Sequence, residues 1–115
     1  MGNKLIVVPK SKEALKNLDF NVASDAELFK MPLDEQQCRQ LFDNGFFDSI
    51  SSVANINIDD FEDESITDMI VLEKIVSSDI FQLGKSTSDL TVVVDEIKKL
   101  FFQAIKHNTG IFFFF

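Results

Sequence analysis

The sequence predicts an α+β fold: a mainly helical single domain, residues 1–115, with a small sheet formed by the terminal strands. Three observations carry that expectation. Pure apolar runs stand near both ends, at residues 5–8 and 111–115, each the length of a short buried strand. Leu90, Val93, Val94, Ile97, Leu100, Phe101, Ala104 and Ile105 recur at spacings of three and four, the cleanest helical stripe in the chain. Finally, 115 residues of which 45% are apolar suit one domain with a real core and argue against wholesale disorder.

The elements follow in order. Residues 4–8 read as a buried strand stopped at Pro9. Residues 11–18 read as a short helix capped by Ser11, with Ala14, Leu15 and Leu18 inward. Residues 19–33 are ambiguous; 25–29 would form a helical turn closed before Pro32. Asp34 can cap a helix reaching Asp43, with Cys38, Leu41 and Phe42 on one stripe and Gly45 in the left-handed position beyond its end. A second helix should face Phe46, Phe47, Ile50, Val53 and Ala54 inward. Alternation over 55–58 suggests a brief extended piece, and the acidic hexapeptide 59–64 a surface loop. Ile66, Met69, Ile70, Glu73, Val76 and Ile80 keep helical spacing over 66–80. Gly84 and Ser86 to Ser88 mark a break, residues 89–107 form the long helix, and 111–115 a final buried strand.

Chemistry is narrowed by what is scarce. The chain has one His (His107), one Arg (Arg39), one Cys (Cys38), no Trp and no Tyr, against thirteen Phe. A chain this poor in nucleophiles and proton carriers is not expected to be an enzyme. One cysteine excludes an internal disulfide and a cysteine-based zinc site. His107 has no second histidine with which to share a metal, and its place near a helix C-terminus suits interaction with the dipole. Cys38 reads as a small apolar filler. No glycine-rich phosphate loop is present, and an EF-hand register fails from Asp60 and from Asn55 alike, since Ser65 or Asp60 stands where Gly is required. Neither a cofactor nor a metal is expected. No run approaches a membrane span and no secretory signal segment opens the sequence, so a cytoplasmic protein is expected.

Charge is the informative feature. The net charge is −8, but residues 1–33 balance at +1 and residues 69–115 at 0. Residues 34–68 hold Arg39 against ten acids, a balance of −9. Such crowding costs stability in the free protein, a cost accepted either for solubility, as a plain solvated surface, or because a basic partner neutralises the patch. Direct binding to nucleic acid or to an acidic membrane is disfavoured. Asp59, Asp60, Glu62, Asp63, Glu64 and Asp68 are the candidate charge contacts, with Asp43 and Asp48 behind them. Phe61, flanked by acids, either tucks inward or anchors an interface, and the inward pose is favoured. In the pairs Phe46–Phe47 and Phe101–Phe102 one ring should face the core and the other the rim.

A small acidic domain carrying DNGFFD (43–48) and NINIDDFEDE (55–64) resembles the immunity proteins of bacterial toxin–immunity pairs, the contact-dependent growth inhibition (CDI) immunity proteins in particular. The likeness covers mostly residues 34–68 and is one of character, with no invariant motif. It implies one-to-one binding and neutralisation of a cognate protein toxin, a basic nuclease domain that cleaves tRNA or a similar substrate. Carboxylates that occupy a groove built for phosphates would exclude the nucleic acid and speed association. The alternatives are an acidic adaptor, or a nucleic-acid mimic that inhibits a DNA-binding protein.

Overall fold

The computed structural model describes residues 4–59, 62–83 and 88–115. β1 (Lys4–Pro9) leads through α1 (Lys12–Asp19) and a 3-10 turn (Asp25–Glu27) to β2 (Leu28–Leu33). α2 (Glu35–Asp43) and α3 (Phe46–Ala54) precede β3 (Asp63–Ile66), then α4 (Met69–Ser77), α5 (Ile80–Leu83), α6 (Ser88–Lys106) and β4 (Ile111–Phe114). The sheet order is β2-β1-β4-β3 and every pairing is antiparallel. The two terminal strands therefore pair with each other, as expected, and form the centre of a four-stranded α+β sheet.

Strand alternation divides the side chains between two faces. Ile6, Val8, Leu33, Ile66, Ile111 and Phe113 join α2 to α6 in the main core. Val7, Leu28 and Phe112 point the other way, where Leu15 and Leu18 of α1 cover them. α6 packs on β1, β4 and α4 with the predicted stripe inward, while Phe102 is 51% exposed. The main core is threaded by rings: Phe47 meets Phe42, Phe46, Phe113 and Phe115, and Phe81 links Phe46 to Phe101. These contacts, at centroid separations of 4.8–6.2 Å, are in the range where aromatic pairs attract beyond simple area burial.

Local chemistry sets the helix ends. Ser11 Oγ accepts from Ala14 N at 3.0 Å and starts α1. Asp34 and Gln37 form a reciprocal capping box at α2. Gly45, at φ 84°, closes α2 and opens α3 in the left-handed conformation that glycine adopts without a Cβ penalty.

Several expectations need correction. Residues 28–33 form a strand and not the end of a helical turn; Pro32 is tolerated because β2 is an edge, where its missing N–H need not pair. Both Phe46 and Phe47 are fully buried, since the start of α3 lies between Phe81 on one side and Phe113 with Phe115 on the other. Val53 is 40% exposed and the alternation at 55–58 is no strand: Asn55, at φ 55°, is the left-handed cap of α3. Asp63 and Glu64 belong to β3, so the acidic hexapeptide is not wholly a loop. The helix predicted over 66–80 starts at Met69, with Ile66 in β3 and a break at Ser78, whose hydroxyl bonds Ile75 O and accepts from Ile80 N. Its inward stripe runs through Leu72 and Ile75, leaving Ile70 66% exposed and Glu73 in solvent. Of the predicted break, residues 84 and 86–87 lie outside the described residues, and Ser88 opens α6.

Candidate functional site

The described acids of the middle third fall into two settings. Four of them complete helix N-termini. Asp34 caps α2, and Asp68 caps α4 by accepting from Ile70 N at 2.9 Å. Glu35 and Asp48 stand in the first turns of α2 and α3, where a carboxylate meets the positive end of the helix dipole. These acids have a structural use that requires no partner.

The others do not. Asp43 is exposed in the last turn of α2, at the negative end of the dipole, where an acid is unfavourable by ~0.3–1 kcal/mol. Asp59 and Glu62 are exposed in the segment that leads into β3. Asp63 is exposed at the start of β3, paired with Phe114, and Glu64 is half-buried opposite Phe113. The pleat sends these last two to opposite faces: Glu64 shares the helical face with Phe113, and Asp63 the outer face with Phe114 and Leu5. Asp60 and Phe61, and with them the expected inward pose of Phe61, lie outside the described residues.

The ring contacts show which of these acids share a neighbourhood. The Phe115 ring lies 6.1 Å from Phe42 and 5.2 Å from Phe47. Asp43 follows Phe42, Asp48 follows Phe47, and Phe115 follows Phe114, the pairing partner of Asp63. The backbone at Asp43, Asp48 and Asp63 therefore gathers around one end of the sheet. Asp68 does not join them. It lies beyond the opposite end of β3, ~15 Å away along an extended chain. The predicted set thus divides, with Asp68 committed to a helix cap.

Beside this acidic end lies a cavity of about 280 Å³ lined by Lys4, Glu35, Cys38, Arg39, Phe42 and Asp59. α2 supplies four of the six at helical spacing, β1 supplies Lys4, and the segment after α3 supplies Asp59. Lys4 is only 8% exposed, and its Nζ donates to the Phe115 carbonyl at 3.3 Å. Of the described lining residues only Asp59 is among the predicted contacts. Residues 35, 38, 39 and 42 are one face of a helix, a signal that also describes ordinary packing. Cys38 is buried, as a filler would be, and also borders this space.

Elsewhere, His107 is half-buried just past α6, its ring 5.7 Å from Phe29. Among the described residues no group of three His, Cys, Asp or Glu side chains is arranged to hold a metal ion, and no helix is long and apolar enough to cross a membrane. Two carboxylates are held below the usual range: Asp25 by a hydrogen bond and charge from Lys30, and Glu27 by the Ser24 amide and then the Asn17 side chain. Both stand beside β2, at the far edge of the sheet from β3.

Compared with models of protein families, with curated proteins and with solved structures, the chain finds no match.

Proposed function

We propose that the protein is a cytoplasmic inhibitor of the immunity type, which binds one basic protein toxin, a nuclease domain, one-to-one through the acidic end of its sheet. The observation that carries the reading is the division of the acids. Those at helix N-termini are explained by the fold, whereas Asp43, Glu62 and Asp63 stand exposed around one end, and Asp43 sits there against the local dipole. Carboxylates kept at a cost to the free protein gain their return when a cationic surface covers them. A nuclease must present cations to a phosphate backbone, so the same carboxylates that hold it would exclude its substrate. An interface of this kind buries ~1,200–2,000 Å² in total.

The test is co-purification with the product of the adjacent upstream gene, followed by a nuclease assay on total tRNA. A basic nuclease that binds one-to-one and loses activity is the expected result. The triple variant Asp43→Lys, Glu62→Lys, Asp63→Lys should then bind about a hundredfold more weakly or worse, because three favourable contacts become repulsive. Its thermal unfolding should stay within a few degrees of the parent's. Full-strength binding by the folded triple variant, or the absence of any cationic partner, would overturn the reading.

A further inference from the structure

The cavity beside the acidic end has a charge pattern unlike its surroundings. Residues 34–68 contain a single base, Arg39, and it lines this cavity, with Lys4 reaching in from β1. Among the described residues the lining carries two bases, Lys4 and Arg39, and two acids, Glu35 and Asp59. We propose that the cavity is a binding site for a small zwitterion with an apolar side group, of the size and charge pattern of a free apolar amino acid.

Three features argue for this ligand class. The first is the state of Glu35 and Arg39. They stand one turn apart on α2 with the acid on the N-terminal side, the arrangement that ordinarily forms an intrahelical ion pair. Among the described residues neither takes part in an ion pair or a side-chain hydrogen bond. Side chains four apart on a helix have Cβ atoms ~6 Å apart. An α-amino acid carries its ammonium and carboxylate on one carbon. The ammonium turned toward Glu35 and the carboxylate toward Arg39 would insert between them, giving two charge-assisted contacts at ~2.7–2.9 Å.

The second is charge selection. A simple cation gains from Glu35 but is opposed by Arg39 and by Lys4, whose ammonium donates to Phe115 O. A simple anion meets the reverse. Only a ligand with both signs gains at both ends. The third is shape. Cys38 and Phe42 complete the helical face between the charges and form an apolar floor, and the Phe42 ring is held by Phe47 at 4.8 Å and Phe115 at 6.1 Å. A volume of about 280 Å³ is at or below the ~300–1,000 Å³ of pockets for drug-sized ligands, a size that suits an amino acid. None of this depends on the toxin-binding reading.

The test is an NMR titration of the isotope-labelled full chain with L-phenylalanine, and in parallel with phenethylamine and 3-phenylpropionate, each of which lacks one of the two charges. Saturable shifts centred on the amides of residues 35–42 and Asp59 are expected, with L-phenylalanine binding at least about tenfold more tightly than either analogue. Glu35→Gln and Arg39→Gln should each weaken it by about tenfold or more while the rest of the spectrum is unchanged. Both positions are exposed, so neither change threatens the fold. The proposal is overturned by no saturable shift in the millimolar range, by shifts centred elsewhere, or by a single-charge analogue that binds as well as the amino acid.

Discussion

β2 and β3 are both edge strands of one sheet, yet β2 runs six residues and β3 four. An open edge is a template for another chain, and proteins guard it. β2 is guarded by Pro32, which offers no N–H, and by Lys30, which projects from the outer face and pairs with Asp25. β3 is guarded by brevity and by Asp63 and Glu64. The two devices are not equivalent. A missing donor refuses every incoming strand alike. A carboxylate refuses a neutral or acidic one and welcomes a basic one. The acidic edge is therefore selective where the proline edge is merely closed.

The comparison breaks most severely at Gly110, which leads into β4 beside the end of β3. A Cβ there would stand 2.8 Å from Thr67 Cγ2 and 2.9 Å from the Ile66 carbonyl oxygen, so backbone would have to move. Gly110→Ala should cost ~1–3 kcal/mol by this overpacking. Its signature is local: amide exchange should rise at Ser65, Ile66 and Ile111, while the β1–β2 pairing stays protected. Gly45→Ala is the contrast. Nothing lies within 4 Å of its added Cβ, and only the φ of 84° opposes it, so ~1 kcal/mol is expected, with faster exchange confined to the α2–α3 junction. Denaturant unfolding with residue-resolved exchange separates the two. Loosening of β2 by Gly110→Ala would show that the edges are not independent.

The same edges mark where sequence pattern is a sufficient guide to structure and where it fails. α6 is readable because nineteen residues repeat one period, and each inward position reinforces the next. β1 and β4 are readable as short apolar runs buried on both faces, Phe112 facing α1 and Phe113 the helices. β2 hides behind Pro32, whose breaker signal holds only if the strand is interior. β3 hides because Asp63, Glu64 and Ser65 have the composition of a loop, and only pairing with Phe112 to Phe114 makes them a strand. The stripe of α4 was misphased because Ile66 and Ile70 extend a helical spacing across a strand-to-helix boundary at Asp68. The acidic surface was legible as composition. Its division was not, since the difference between Asp68 and Asp63 is a capping bond that depends on where α4 begins.

The guarding roles themselves can be exchanged. Asp63→Thr with Glu64→Thr keeps strand propensity and removes the repulsion between two copies meeting at β3. Cross-strand like-charge pairs are unfavourable by ~0.2–1 kcal/mol each, so self-association should set in at roughly tenfold lower protein concentration than in the parent. Lys30→Thr should change it little, because Pro32 still withholds its donor from β2. Sedimentation velocity over a concentration series reads both. If Lys30→Thr associates and the β3 variant does not, the assignment of guards is reversed.

The smallest effect expected is on pH dependence, and it belongs to the β2 side. Asp25 and Glu27 both have folded-state pKa values below the ordinary carboxylate range. A depressed value means the folded state binds the proton less readily than the unfolded chain. Their stabilisation is therefore present above the unfolded values of ~3.9 and ~4.3 and disappears as pH falls through the folded ones. Both groups are open to solvent, so each contribution is small, and the two differ in kind. Asp25 depends on the Lys30 charge, whereas Glu27 accepts from the neutral Ser24 amide at 3.1 Å and Asn17 Nδ2 at 2.9 Å. Salt near ~1 M screens the first and spares the second. Acid unfolding of Asp25→Asn and Glu27→Gln at low and high salt should show the Asp25 difference shrink and the Glu27 difference persist. Equal loss of both would mean that charge, and not the capping geometry ahead of β2, holds Glu27 ionised.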